Sequence, residues 1–396
     1  MRVLVLQQPN SVAPFESWLM EAAPGVEVRI ITGAATVRPD SAIAPGVRRD
    51  VLADYHAPET TRHLFQVCAE WAPQAVFSNS EADVMRAAEA RTLFGIPGTG
   101  SASAVLFRDK VLMKQLFAGL TVQGTEVAAV EHRVPTSGAD VLAACDELGP
   151  VVLKPRDGSG SVSVQTLSDR AQAAAWLAAE PEVLKRLHAS QLILERFVEG
   201  DVYHVDMLAR DGAPIMISTS RYLHPPHHFA RHNLASVMLD EDSEDHRFLV
   251  AYGQALTARA ATAHGATIMH LEMFRTPQGE FVAGEVACRG SGGLVKESIL
   301  HTYGIDQARA ACLLGAGLLP GETYLRRIRQ QSGRLLETGP RLGYDRAARP
   351  SWLVTVSESE RPGEASSSVD ARLQVVVEGE NESEIEKRMA SLHLSA

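Results

Sequence analysis

The sequence predicts an α/β unit over the first hundred residues, an α+β region in two parts after it, and a small α/β region at the C-terminus. Three observations predict this. Short apolar runs at 3–6, 26–31 and 75–78 are separated by stretches long enough for crossover helices. From Arg108 onward the alternation changes, and strand-like runs follow one another with short connections, which implies largely antiparallel pairing. Finally, 396 residues exceed one ordinary core and call for two or three domains in contact.

Composition excludes several classes of function. Hydrophobic residues make up 45%, as in a soluble globular protein, and the net charge is -10. A nucleic-acid partner would require a basic face, and an anionic membrane is disfavoured for the same reason. The apolar run at 312–319 stops far short of a membrane span, and the N-terminus lacks the basic-then-apolar pattern of a signal peptide, so a cytoplasmic protein is expected. Cys68, Cys145, Cys288 and Cys312 form no C-x-x-C pair; they read as small buried hydrophobes and not as a disulfide framework or zinc site.

The first strand is followed by Gln7-Gln8-Pro9-Asn10-Ser11, which has no G-x-G-x-x-G for a dinucleotide. After the third strand, Ser78-x-x-Glu81 has the form of a capping box for a helix stopping at Gly95, with Pro97 behind it. Gly98-Thr99-Gly100-Ser101 then leads to a second helix carrying Arg108-Asp109-Lys110, and a first boundary is placed there. A strand at 125–130, a helix at 139–148 and a helix within 169–188 follow. The next block has strands at 192–197, 202–208, 214–220, 268–274 and 281–287 and a helix at 248–264. Beyond 319 come strands at 353–356 and 373–377 and a helix at 384–392, with the polar run 357–368 as a surface loop. The expected units are 1–104, 105–190, 191–318 and 319–396. There is no internal repeat.

Two segments carry chemistry. Residues 151–164 form a strand ending in Lys154, a Gly/Ser turn and a second strand. Phosphate groups want backbone N–H donors from a turn free of bulky side chains, here Gly158, Ser159, Gly160 and Ser161, plus a cation on a rigid strand, here Lys154. The pattern is not a Walker loop, and by itself it also fits an ordinary hairpin. The second segment is a pair of strands joined by Thr276-Pro277-Gln278-Gly279, each with one carboxylate in an apolar run, Glu272 and Glu285. Buried acids want a shared cation, and Mg²⁺ takes a few carboxylate oxygens together with substrate phosphates.

Read in order, Asp109-Lys110, Leu153-Lys154-Pro155 with its hairpin, Glu195-Arg196-Phe197-Val198, Glu272, and Glu285 with Arg289 form a set that resembles the ATP-grasp superfamily. It looks closest to the carboxylate–amine ligases, the amino-acid ligases among them, over about residues 75–320. The resemblance implies an ATP-grasp fold with two subdomains clamping the nucleotide: 105–190 with the phosphate hairpin and 191–318 with the adenine hinge and the metal acids. It implies ATP with Mg²⁺, or Mn²⁺ in its place. Lys110 and Lys154 would reach the phosphates, under the loop that includes Ser159, Gly160 and Ser161. The hinge Glu195, Arg196, Phe197 and Val198 would read adenine, with the Phe197 backbone as hydrogen-bonding part and Glu195 on the amino group.

By the same resemblance His204 and Asp206 would face the ribose or the metal-phosphate region, although His204 fits a satisfied core histidine equally well. Glu272 and Glu285 would bind the metal. The family's E-x-N-x-R stands here as Glu285-Val286-Ala287-Cys288-Arg289, without its asparagine. Arg289 would steady an acyl phosphate, and with Lys154 it is the catalytic candidate. Glu81, Arg221 and Arg289 are substrate candidates, though a capping role suffices for Glu81 and a surface arginine fits Arg221. His224, His227, His228 and His232 match no zinc spacing and read as a loop beside the substrate pocket.

The implied activity joins a small-molecule carboxylate to an amine through an acyl phosphate, with no nucleic-acid or membrane partner and with a homodimer left open. The alternatives are a bicarbonate-activating carboxylase-like enzyme, against which stands the lack of a biotinyl-lysine motif, and a nucleotide-binding module that has lost catalysis, for which Ala287 is the only support.

Overall fold

The computed structural model describes residues 1–160, 162–226, 231–260, 266–318, 325–358 and 371–393. Ser161, His227, His228 and most of the polar run at 357–368 lie outside these residues.

The continuous apolar run Val3-Leu4-Val5-Leu6 is buried on both faces, as a central parallel strand requires. Strand Arg2–Leu6 lies between Glu27–Gly33 and Ala75–Ser78, and Arg48–Leu52 completes a four-stranded parallel sheet at the outer side of Glu27–Gly33. Helix Val84–Phe94 stops on Gly95, whose φ of 65° suits a residue without a Cβ. The capping box expected at Ser78 and Glu81 is not formed. The helix begins after a short 3₁₀ turn, Glu81–Asp83, and the Glu81 carboxylate turns instead to two guanidinium groups, those of Arg108 and Arg289. A carboxylate gains more from two cations than from one backbone N–H.

A second, antiparallel sheet has the order His132–Arg133, Leu192–Arg196, Val151–Pro155, Gln165–Leu167. Helices Gly138–Leu148, Arg170–Ala179 and Glu182–His188 supply its core, in which Val141, Leu153, Leu167, Leu187 and Leu194 are buried. Leu192–Arg196 pairs with the phosphate-hairpin strand, Ile193 opposite Lys154 and Glu195 opposite Val152. It therefore belongs with the residues before it, and the break expected at 190 falls after Arg196. The second hairpin strand begins only at Gln165, so the turn is longer than the sequence suggested.

The third sheet has eight antiparallel strands in the order Phe281–Ala287, Ala266–Arg275, Asp201–Arg210, Ala213–Tyr222, Leu234–Met238, Gln331–Leu336, Leu373–Gly379, Leu353–Glu358. The strands beyond residue 319 thus extend the large sheet and do not form a layer of their own. Helices Lys110–Phe117 and Glu244–Ala260 cover one face, burying Phe117, Leu249, Tyr252 and Leu256 against Val205, Met207 and Leu271. Helices Val295–Tyr303 and Gln307–Gly315 bring Ile299, Leu313 and Leu314 into one core with Leu208 and Met216 of this sheet and with Val3, Val5 and Phe77 of the first. The N-terminal unit is thereby locked to the large sheet. No helix among the described residues is long and apolar enough to cross a membrane.

Candidate active site

Two cavities adjoin where the small sheet faces the large one. The larger, about 410 Å³, is walled by Val152, Val162, Val164, Val202 and Phe274, with the segment 195–200 along one edge and Lys154 at its end. The smaller, about 140 Å³, is lined by Glu81, Arg108, Tyr222, His270, Ala287, Arg289, Ser291 and Arg334. Lys110, the turn residues Gly158, Ser159 and Gly160, Pro226, Glu272 and Glu285 line both, and so mark the junction.

The junction is a lattice of charges. Asp109 caps the helix that starts at Lys110 and also holds Arg156 at 2.5 Å, which pins that helix to the hairpin. Lys110 donates to the Gly158 carbonyl at 2.6 Å and lies 3.7 Å from Glu285. Lys154 lies 2.7 Å from Glu195 and 3.3 Å from Glu285. Burial opposes the charge on Lys154, yet the two glutamates outweigh it and hold its pKa above the ordinary lysine value. Glu195 is the counterpart: burial would raise its pKa, but Lys154 and Lys114 bring it down to about 2. Glu285 is likewise held well below the carboxylate range, where burial is outweighed by Lys154, Lys110 and Lys114.

Lys114 was absent from the sequence reading. It is buried, lies 2.8 Å from Glu195 and donates to the Gly284 carbonyl at 2.7 Å. Its position, one helical turn after Lys110, places both on one helix face, which was the only available signal. The adenine-facing role expected of Glu195 needs correction, because its carboxylate is committed to Lys114 and Lys154. In the hinge, the Arg196 side chain turns to Glu131 at 2.8 Å, and the Phe197 N–H donates to the Pro150 carbonyl at 2.9 Å, so that N–H is not offered to a base.

Glu272 and Glu285 stand opposite each other in register on neighbouring strands, with a bulge just after Glu272. The Tyr222 hydroxyl lies 3.4 Å and the His270 Nε2 3.7 Å from Glu272 Oε1. Two facing carboxylates beside two lysines are a donor set that fits Mg²⁺ together with phosphate.

In the smaller cavity Arg289 Nε donates to Glu81 at 2.7 Å, and Arg108 joins the same carboxylate while also donating to the Asp157 carbonyl at 2.5 Å. Arg334, a further residue the sequence did not single out, is 3% exposed; it donates to Ser236 Oγ at 3.0 Å and to the Gly293 carbonyl at 2.7 Å.

His204 and Asp206 do not reach either cavity. They are 1% and 0% exposed and form a chain behind the wall: His204 Nε2 on Ser236 at 3.0 Å, His204 Nδ1 on Asp206 at 2.7 Å, and Asp206 on His270 Nδ1 at 3.0 Å and on Ser291. The nucleotide contact expected of them is replaced by support of His270. Burial lowers the pKa of His204, whereas for His270 burial is outweighed by Asp206 and Glu272, which push it up to about 9. Arg221 is also corrected: its guanidinium is held by Glu386 at 2.6 Å and Glu382 at 3.4 Å, away from both cavities. The rings of His224 and His232 stack at 4.2 Å, and Pro226 reaches the junction.

Residues 148–297 match the ATP-grasp domain family. The chain is 27% identical over 239 residues to the L-arginine-specific L-amino acid ligase of Bacillus subtilis, covering 58% of this chain and 55% of that protein. It is 30% identical over 124 residues to the D-alanine–D-alanine ligase of Xanthomonas axonopodis pv. citri, covering 31% and 37%. The chain thus spans about half the length, or less, of these relatives. Among solved structures, L-amino acid ligase from Bacillus licheniformis superposes with a TM-score of 0.72 at 16% identity, over 99% of this chain and 96% of that one. The biotin carboxylase domain of Hydrogenobacter thermophilus 2-oxoglutarate carboxylase, in complex with MgADP, gives 0.71 at 15%, over 99% and 89%. Residues 148–297 are thus an ATP-grasp domain, and the chain shares the fold of an L-amino acid ligase along its length.

Proposed function

We propose that the protein is an ADP-forming ligase that joins a small carboxylate of amino-acid type to an amine. The observation that carries this reading is the junction of the two cavities, where Lys110, the Gly158–Gly160 turn, Glu272 and Glu285 face both a nucleotide-sized space and a smaller polar one. The names of the relatives, ligases of amino acids, support it.

On this reading ATP supplies a phosphoryl group that turns the substrate carboxylate into an acyl phosphate, from which the amine displaces phosphate. Lys110 and Lys154 hold phosphate oxygens. Glu272 and Glu285 would hold a divalent cation, which would neutralise phosphate charge. With that cation bound, Glu285 would be shared between it and Lys110 and Lys154, an exchange of partners that would loosen its hold on both ammonium groups. Two unit charges ~4 Å apart interact by ~4 kcal/mol at an effective dielectric of ~20, so such exchanges are large on the scale of catalysis. Arg289 and Arg108, fixed by Glu81, present cations to the reacting carboxylate side, and Val162 and Pro226 help exclude water. Chemistry of this kind rests on positioning and charge and needs no nucleophilic side chain.

The test is ADP release from ATP with single and paired amino acids, with mass spectrometry of the products. An amide with ADP and phosphate is expected; AMP as the main product overturns the mechanism. Likeness in fold to a carboxylase domain favours one second reading, bicarbonate activation, which bicarbonate-dependent ADP release without an amine would reveal.

A further inference from the structure

Resting on that reading of the cleft as a nucleotide and cation site, we infer that His270 is a nitrogen ligand to the divalent cation at Glu272, acting from the position opposite Ala287. His270 and Ala287 are register partners, as are Glu272 and Glu285. Residues two apart on a strand point to one face, and all four of these line the smaller cavity. The Ala287 methyl leaves the space across the ladder to the imidazole.

The ring is oriented from behind. Asp206 lies 3.0 Å and Ser291 Oγ 2.7 Å from Nδ1, and Asp206 is itself held by His204. This directs Nε2 toward Glu272 Oε1, at 3.7 Å. That separation is too long for a hydrogen bond. It lies between the ~3 Å of adjacent ligands and the ~4.2 Å of opposite ones on an octahedral ion with bond lengths near ~2.1 Å, so a side-chain shift of under ~1 Å brings both atoms onto one ion. A carboxylate behind a histidine whose other nitrogen faces a cation site is the usual support of a ligating imidazole. Ligation would use the Nε2 lone pair, with the ring's proton on Nδ1 facing Asp206. An imidazole in the donor set favours Mn²⁺ over Mg²⁺ relative to an all-oxygen site.

The rival place for an ion is the trio His204, Asp206 and His270 itself, whose potential ligand atoms lie within 4.8 Å of one another. There, however, Asp206 already bridges both imidazoles and His204 Nε2 is taken by Ser236, so the trio is a closed hydrogen-bonded chain.

The test uses the full chain with Mn²⁺ and a non-hydrolysable ATP analogue, followed by pulsed electron paramagnetic resonance on protein with natural and ¹⁵N-labelled histidine. A nitrogen coupling that changes on histidine labelling is expected in the unmutated protein, so the result does not depend on any variant folding. His270→Gln should abolish that coupling and raise the Mn²⁺ dissociation constant about tenfold or more, while His204→Asn keeps the coupling. Bound Mn²⁺ with no histidine coupling overturns the inference and leaves the ATP reading intact. A coupling that survives His270→Gln and disappears in His204→Asn places the ion in the trio and overturns it as well. Failure of the unmutated protein to bind Mn²⁺ with the analogue at all overturns the ATP reading, and the inference with it.

Discussion

Glu81 and Arg289 are joined at 2.7 Å although 208 positions separate them, so the N-terminal unit sets the direction of the arginine proposed to meet the substrate carboxylate. Arg108 shares the same carboxylate. Glu81→Gln should therefore leave ATP affinity within about twofold but lower kcat/KM about tenfold to a hundredfold, the range of a lost hydrogen bond to a charged group. Calorimetry with ATP and steady-state ADP release measure the two sides; an unchanged kcat/KM would remove Glu81 from the site.

Arg289→Lys keeps the charge and loses the planar fork that meets Glu81 through Nε and the Gly290 carbonyl at 3.0 Å. Its kcat should fall by more than its ATP affinity, the signature of a contact made mainly in the transition state. Weaker ATP binding with kcat unchanged would point to a role in binding alone.

Lys154→Ala removes a cation from the proposed phosphate site of the larger cavity and should weaken ATP binding roughly tenfold or more. Lys114→Met is the contrasting variant. Lys114 is buried on Glu195, so its loss should lower Tm while KM for ATP changes little. If both variants shifted KM alike, Lys114 would belong to the nucleotide site.

Acid stability follows from Glu195. Its pKa is depressed in the fold from 4.5 to about 2, so the stability it contributes is fully present above about pH 4.5 and is lost as pH falls toward 2. Glu195→Gln should be less stable at neutral pH, because Lys114 and Lys154 lose their shared carboxylate, and should show a shallower loss of stability between pH 4.5 and 2. Denaturant unfolding across that window decides it; an unchanged slope would show that Glu195 is not the group responsible.

The elements legible in the sequence were those whose chemistry is local. Val3 to Leu6, the Lys154 hairpin and the acid-bearing strands around Glu272 and Glu285 each have an apolar run or turn that stands out within a short window. Arg48–Leu52 and Gln331–Leu336 escaped notice because their residues mix Arg, Asp, Ser, Gly and Gln with apolar ones; Arg48–Leu52 is half exposed, while Gln331–Leu336 is buried through side-chain hydrogen bonds and not through apolar alternation. The same blindness hid Lys114 and Arg334, whose significance lies in partners about 80 and 100 positions away, Glu195 and Ser236. Glu81 was misassigned for the converse reason: a local capping pattern is visible in sequence, and the two distant guanidinium groups that take its place are not.

Arg334 enters the cleft from a strand far along the chain, and that strand is the neighbour of Leu234–Met238. During synthesis, a nascent chain halted near residue 318 could build the larger cavity but not the far wall of the smaller one. It would also present Leu234–Met238, every residue of which is buried in the finished sheet, as an open edge able to pair with another chain. The last strands therefore act as a closing seam, and truncated forms of the protein should be found in aggregates before they are found inactive.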